Sequence, residues 1–242
     1  DHLADTGPDF ASNRKKLLKY DNFVTSNFIT THPSTLDFLR KKKNFHYLPI
    51  PVDKNIEKLK IYENNNQIND VFFSMSHGVN RGKLKRDKQD ERHNFITDLI
   101  SECPNIIFDI YGYKNREPVW AEDFYKVIVN SKMALNLTRG KPLKYLTSNR
   151  IASLIGNGLL TFIDKRTQLS NFFNNNEVIF YSGLEDLANK INFYKSNDQK
   201  RINVAKKGRK KYFDLFECQK VANYIISKSF NREISKKLKW MD

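Results

Sequence analysis

Five short apolar runs that do not alternate with polar residues set the architecture of this chain. They are Val71-Phe72-Phe73, Ile106-Ile107-Phe108, Met133-Ala134-Leu135, Leu159-Leu160-Thr161-Phe162-Ile163 and Val178-Ile179-Phe180. A strand with one wet face alternates, whereas a continuous run requires cover on both faces. Helical patterns separate the runs. Residues 91–100 place Phe95, Ile96, Leu99 and Ile100 on one face, and further helices are predicted over 124–130, 149–155, 184–194 and 198–212. A last helix is predicted from about 219 into a basic tail near 236. Strands alternating with helices give an α/β fold: a doubly wound parallel sheet, Rossmann-like. Such sheets bind ligands beyond the carboxyl ends of their strands, where strand order reverses. The loops after Met75, Ile110, Leu137 and Ile163 are therefore the places for chemistry.

The first 50 residues read differently. A short helix is predicted over 10–19, then a β-rich run over 21–30, and Thr31-His32-Pro33-Ser34-Thr35 breaks that run. Ser34 is placed to cap a helix through Leu36 and Leu39. Phe45-His46-Tyr47-Leu48-Pro49 is a short strand ended by proline, and Pro49-Ile50-Pro51-Val52-Asp53 suits neither helix nor central strand. The expected organisation is thus a remnant of an amino-terminal domain with its linker (1–50), a ligand-binding domain (51–226) and a basic helical tail (227–242). The start at Asp1-His2-Leu3 reads as a missing upstream segment.

The formal net charge is +15. Nucleic acid, an anionic membrane surface or a phosphorylated substrate would each suit it, and so would the Lys- and Asn-rich usage of an AT-rich genome. Cys103 and Cys218 stand far apart with no metal-ligand spacing and read as free thiols of a reducing cytosol. No run is long and apolar enough for a transmembrane helix. A cytoplasmic location follows, with peripheral contact to an anionic membrane through the tail, residues 228–239, as a further partner.

Three loops hold the candidate residues. The loop after the first strand carries His77, Asn80 and Arg81 between glycines that allow close backbone approach to a ligand. After the second strand, Tyr111 beside Gly112 can face a base or a sugar ring. The third stretch gathers Asn136, Arg139, Lys141, Lys144, Tyr145, Ser148, Asn149 and Arg150 around one strand end. Thr147 or Ser148 is placed to cap the following helix, whose first amides would face a diphosphate. Arg150 in its first turn is unfavourable for the helix dipole, a local rule broken where ligands bind.

Other chemistries find no motif. There is no Gly-x4-Gly-Lys-Ser/Thr, no Gly-x-Gly-x-x-Gly and no Gly-x-Ser-x-Gly. Gly156-Asn157-Gly158 precedes a strand and reads as a helix end with a turn. The five histidines have no metal-binding spacing and no Asp-x-Asp occurs, so no metal or other cofactor is implied.

From residue 72 to about 226 the chain resembles the carboxyl-terminal domain of GT-B glycosyltransferases, above all the branch related to the spore-maturation protein CgeB. Residues 47–53 resemble that family's linker, a strand and then a Pro-x-x-Val-Asp turn. Residues 148–160 resemble its Arg-x-x-Glu-Ala-x-x-x-Gly helix, and residues 201–208 its Arg-x-x-Ile-Ala-x-x-Gly segment. Ser153 stands where the family's acidic residue binds the donor ribose. A second, partial similarity, to α1,3-fucosyltransferases, runs through Pro118-Val119-Trp120 and through Tyr145 to Arg150; that family binds a guanosine-diphosphate sugar with a Tyr-x-Thr-Glu-Lys segment, in which Ser148-Asn149-Arg150 stands here instead.

The resemblance implies a metal-independent glycosyltransferase. A nucleotide-sugar would be the donor co-substrate, and a glycan or lipid-linked molecule the acceptor. Arg150 would touch the donor diphosphate, with Asn136 and Arg139 in the same cleft. A catalytic base, if any, would lie outside this chain, which alone would bind nucleotide weakly without turnover. The rival reading, a basic nucleic-acid-binding module without activity, predicts a broad basic face and strongly salt-dependent binding. The cations here cluster at strand ends and in the tail instead, and no nucleic-acid partner is expected.

Overall fold

The structure, a computed structural model, describes residues 26–39, 43–75, 91–234 and 237–241, with the backbone alone of 79–80 and 83–84. All five apolar runs contribute strands to one parallel sheet: β3 (Asn69–Ser74), β6 (Phe108–Tyr111), β7 (Ser131–Asn136), β8 (Leu160–Asp164) and β9 (Ile179–Tyr181). Two parallel strands, β1 (Asn27–Ile29) and β2 (Phe45–Tyr47), stand apart as a second small sheet. The antiparallel pair β4 (Val79–Asn80) and β5 (Lys83–Leu84) follows β3. The helices are α1 (Glu91–Glu102), α2 (Ala121–Ile128), α3 (Arg150–Gly156), α4 (Leu184–Ser196), α5 (Asp198–Phe216) and α6 (Cys218–Ser229).

Strand order in the large sheet is β6-β3-β7-β8-β9. Chain order reverses between β3 and β7, which makes that boundary the switch point. Side chains of successive residues leave opposite faces. Val71 and Phe73 join Met133 and Leu135 in a core covered by α1 and α4, while Phe72 and Ala134 meet Phe124 and Ile128 of α2 and Leu154 of α3 on the other face. This two-sided burial is why the runs do not alternate. The expected face of α1 is also present, with Ile96 and Leu99 buried and Phe95 and Ile100 packed beside them.

Several local expectations give way to tertiary contacts. The sequence pattern predicts a helix capped by Ser34. The structure has two 3₁₀ turns, Pro33–Thr35 and Asp37–Leu39, and the first is capped by the His32 ring, which accepts from the Ser34 amide. The second strand begins at Phe108 rather than 105, because the Asp70 carboxylate takes the Ile107 amide at 2.9 Å. The last helix ends at Ser229, so most of the expected helical tail is not helical among the described residues. Trp240 instead turns back onto Phe216 and Tyr224. The predicted helix over 10–19 lies outside the described residues.

The proline-containing segment 49–53 is stitched to the far end of the chain. The Val52 amide donates to Phe216 O, the Cys218 amide donates to Val52 O, and the Cys218 thiol reaches Asp53 Oδ2 at 3.3 Å. Phe28 of β1 packs edge-on against Tyr224 of α6. Arg201 of the family-like segment is buried, held by Asp198 and by Lys132 O at the start of β7. Seven residues later, a Cβ on Gly208 would lie 2.0 Å from Glu177 O. We therefore expect Gly208→Ala to lower unfolding stability by about 2–3 kcal/mol through overpacking. Gly140→Ala meets only open space but sits at φ 73°, and should cost about 1 kcal/mol. Denaturant unfolding of both variants checks the ordering.

Candidate functional site

The third loop leaves β7 at Asn136, which is 3% exposed. Ser148 donates its hydroxyl to Asn136 Oδ1 at 2.9 Å. That bond orients the amide, and Asn136 Nδ2 is left buried without a hydrogen-bond partner. A buried donor without an acceptor costs about 1–3 kcal/mol, so a ligand oxygen arriving there would be favoured. The expectation that Thr147 or Ser148 caps α3 is corrected by the same geometry. The N-cap position falls on Asn149, in αR conformation and with no side-chain cap bond, because Ser148 is engaged by Asn136. With seven residues, α3 also has only a weak dipole, so side chains rather than its terminus must supply positive potential.

Arg150 is that side chain. Its Nη2 donates to Leu137 O, just beyond β7, at 2.8 Å, and its guanidinium lies 5.4 Å from the ring centroid of Phe73 in β3. One cation thus spans both strands of the switch point. Thr147, Ser148, Asn149 and Arg150 form one wall of a cleft of about 470 Å³, with Phe28, Ile29 and Thr30 of the small sheet and Trp120 completing it. Arg139 and Lys141 are exposed on the same loop, beside the cleft rather than in its wall.

Tyr145 has another place. Its φ is 62°, its ring is buried against Phe172 and Tyr47, and its hydroxyl accepts from Asn171. With the Tyr145 amide on Thr167 O and the His32 amide on Lys144 O, this stretch anchors the loop in an aromatic cluster. Tyr111 is covered by Arg116, whose guanidinium sits 3.7 Å from the ring centroid and pairs with Asp109 at 2.6 Å. Gly112 serves the backbone: at φ 71°, a Cβ there would lie 1.7 Å from Met75 O. It therefore packs the second loop against the root of the first. His77 and Arg81 lie outside the described residues, and of Asn80 only the backbone in β4 is described.

Sequence reasoning missed two residues, one in the cleft wall and one behind the short helix α3. Trp120 is 62% exposed in the cleft wall. Glu57, behind α3, is 5% exposed and accepts from the Asp53 amide at 2.9 Å and the Tyr125 hydroxyl at 3.3 Å. Tyr125 in turn lies 3.3 Å from Ser153 Oγ. Neither Pro118-Val119-Trp120 nor the polar segment around Glu57 signals these placements, since both depend on distant partners.

Burial pushes the Glu57 carboxyl above its ordinary value near 4.5, against the opposing pull of the Asp53 amide and the Tyr125 hydroxyl. The folded chain therefore holds this proton more tightly than the unfolded chain. Its stabilising contribution is complete below that ordinary value and is lost as pH rises through the raised one. Relative to Glu57→Gln, the wild-type chain should lose stability over that interval, and unfolding curves from acid to neutral pH measure the difference.

The fold and the sequence find matching relatives. HepE of Anabaena, solved with UDP, superposes with a TM-score of 0.67 at 12% identity over 91% of this chain and 68% of its own. TarM of S. aureus, a mutant form solved with fondaparinux, alpha-GlcNAc-glycerol and UDP, gives 0.60 at 14% identity over 94% of this chain and 48% of its own. Sucrose-phosphate synthase of Thermosynechococcus elongatus gives 0.58 at 10% identity, covering 94% of this chain and 62% of its own. The chain thus spans about half to two thirds of these relatives, and no curated protein matches it in sequence. Residues 88–227, more than half of its length and including β6 to β9 and α3, match the family described as glycosyl transferase-like. Sequence match and sheet topology converge, and the chain belongs to that family, with the α/β fold of GT-B glycosyltransferases.

Proposed function

We propose that this chain binds a nucleoside-diphosphate sugar at the carboxyl rim of β3 and β7 and serves transfer of the sugar to a glycan or lipid-linked acceptor without a metal ion. The observation that carries this reading is the pairing of two donors at the switch point: the buried, unpartnered Asn136 amide and the Arg150 guanidinium beside it. Similar structures solved with UDP support a nucleotide in this class of fold.

In the reaction, an acceptor hydroxyl oxygen bonds to the anomeric carbon of the donor sugar. The bond from that carbon to the β-phosphate oxygen breaks, and its electron pair stays with the departing diphosphate. Arg150 stabilises the charge that grows there, with Arg139 and Lys141 adding positive potential from the exposed loop beside the cleft. Preorganised cations in a partly dry cleft act more strongly than the same groups in water. The acceptor proton passes to a base that the cleft residues do not identify.

Calorimetric titration with UDP, GDP and UDP-glucose tests the donor site. Binding of at least one is expected. Arg150→Ala should weaken it about 10- to 100-fold, the effect of losing a charge-assisted bond. Thermal unfolding of the variant, run in parallel, separates lost binding from lost packing on Phe73 and Leu137. Absence of heat with every nucleotide would overturn the proposal.

A further inference from the structure

Trp120 is the large aromatic side chain most exposed in the cleft, and the backbone around it is built to keep it there. It occupies the N-cap position of α2 in extended conformation, makes no side-chain capping bond, and its carbonyl accepts the Phe124 amide. The next residue, Ala121, has φ 49°, a left-handed conformation that a residue with a Cβ adopts only against resistance. The loop leading to it is fixed as well, since the Gly112 amide donates to Arg116 O and Glu117 O, and Gly112 abuts Met75. Strain of this kind persists where surrounding structure imposes it, and it concentrates at ligand clamps. Relaxed backbone and a buried indole would be the cheaper arrangement for folding alone.

The surroundings specify what an indole face would meet. The same cleft is lined by Thr30, Thr147, Ser148 and Asn149, together with Phe28 and Ile29. Hydroxyls and amides around one flat apolar surface match a pyranose ring, which has an apolar C–H face and a rim of hydroxyls. Arg150, the diphosphate determinant of the reading above, lies in the wall of the same cleft, and Ser148 of that wall is hydrogen-bonded to Asn136. We infer that Trp120 is a stacking platform for a pyranose ring, setting sugar specificity at the mouth of the cleft. This rests on the donor-site reading above, and the ring belongs either to the donor sugar or to the acceptor glycan.

The chain contains two tryptophans. Trp240 is 2% exposed and Trp120 is 62% exposed, so long-wavelength emission reports Trp120. The whole chain is titrated with UDP, with UDP-glucose, UDP-N-acetylglucosamine and GDP-mannose, and with gluco- and galacto-oligosaccharides in the presence of UDP. Emission and calorimetric heat are read together. A blue shift or quench with a nucleotide-sugar but not with UDP assigns the platform to the donor sugar. A response to an oligosaccharide assigns it to the acceptor. In either case Trp120→Phe should abolish the optical response, and Trp120→Ala should weaken the responding ligand about three- to tenfold while leaving UDP unchanged.

Heat from a sugar ligand with no change in Trp120 emission overturns the platform alone. An equal response to UDP alone means that the indole stacks on the base, and also overturns it. No heat and no response with any probe overturns both the donor site and the platform. A sugar response without nucleotide heat overturns the donor site and leaves the platform standing.

Discussion

The parallel pairing of β3 with β7, in the register Val71 to Met133 and Phe72 to Ala134, is the constraint on which the rest of the structure depends. Parallel neighbours cannot be joined by a tight turn, so each connection must cross a face of the sheet. At this pair the connections part. α1 covers one face and α2 covers the other, and the loops at the carboxyl ends diverge. The crevice between them is a consequence of chain path, present before any residue is chosen to line it. Arg150 exploits that path by touching Phe73 of one strand and the carbonyl just beyond the other.

The second wall of the cleft is held by different means. No strand of the small β1–β2 sheet pairs with the large one. Its position comes from α6 and the linker: Ser26 donates to Lys228 O, Phe28 meets Tyr224, and Val52 is bonded on both sides to the α5–α6 junction. Residues far apart in sequence thus set the cleft width through a few backbone bonds and one aromatic cluster.

Much of the fold was legible because burial on both faces leaves a direct trace in sequence. Each of the five strands coincided with an apolar run, and α1 displayed its buried face in the spacing of Phe95, Ile96, Leu99 and Ile100. The switch point and its loops followed from topology rules. The roles of single side chains within those loops were less legible. Tyr145, flanked by Lys144 and set in a polar stretch, reads as a donor-site candidate, yet its left-handed backbone turns the ring into a cluster formed by Tyr47 and Phe172. Ser148 sits at a capping position by local rules and is drawn away by Asn136. Gly112 looked like a ligand-facing glycine and proves to be required by Met75 O. In each case the competing partner lies well outside the local window, beyond the reach of any short-range pattern.

Arg150 shows why a violated local rule carried information even where the reason given for it was incomplete. A cation in the first turn opposes the helix dipole, but with seven residues in α3 the penalty is small, and it falls off within a turn. The guanidinium is not oriented by the helix. Leu137 O takes one of its donors at 2.8 Å and the Phe73 ring lies beneath it, both of them belonging to the sheet and its rim. Its positive charge is thus fixed relative to the rim of the sheet as well as to the short helix. In the proposed reaction, preorganisation of that kind would reduce the cost of meeting a developing anion, and the carbonyl that holds the guanidinium belongs to the residue after Asn136, whose amide is oriented by Ser148 from the same loop.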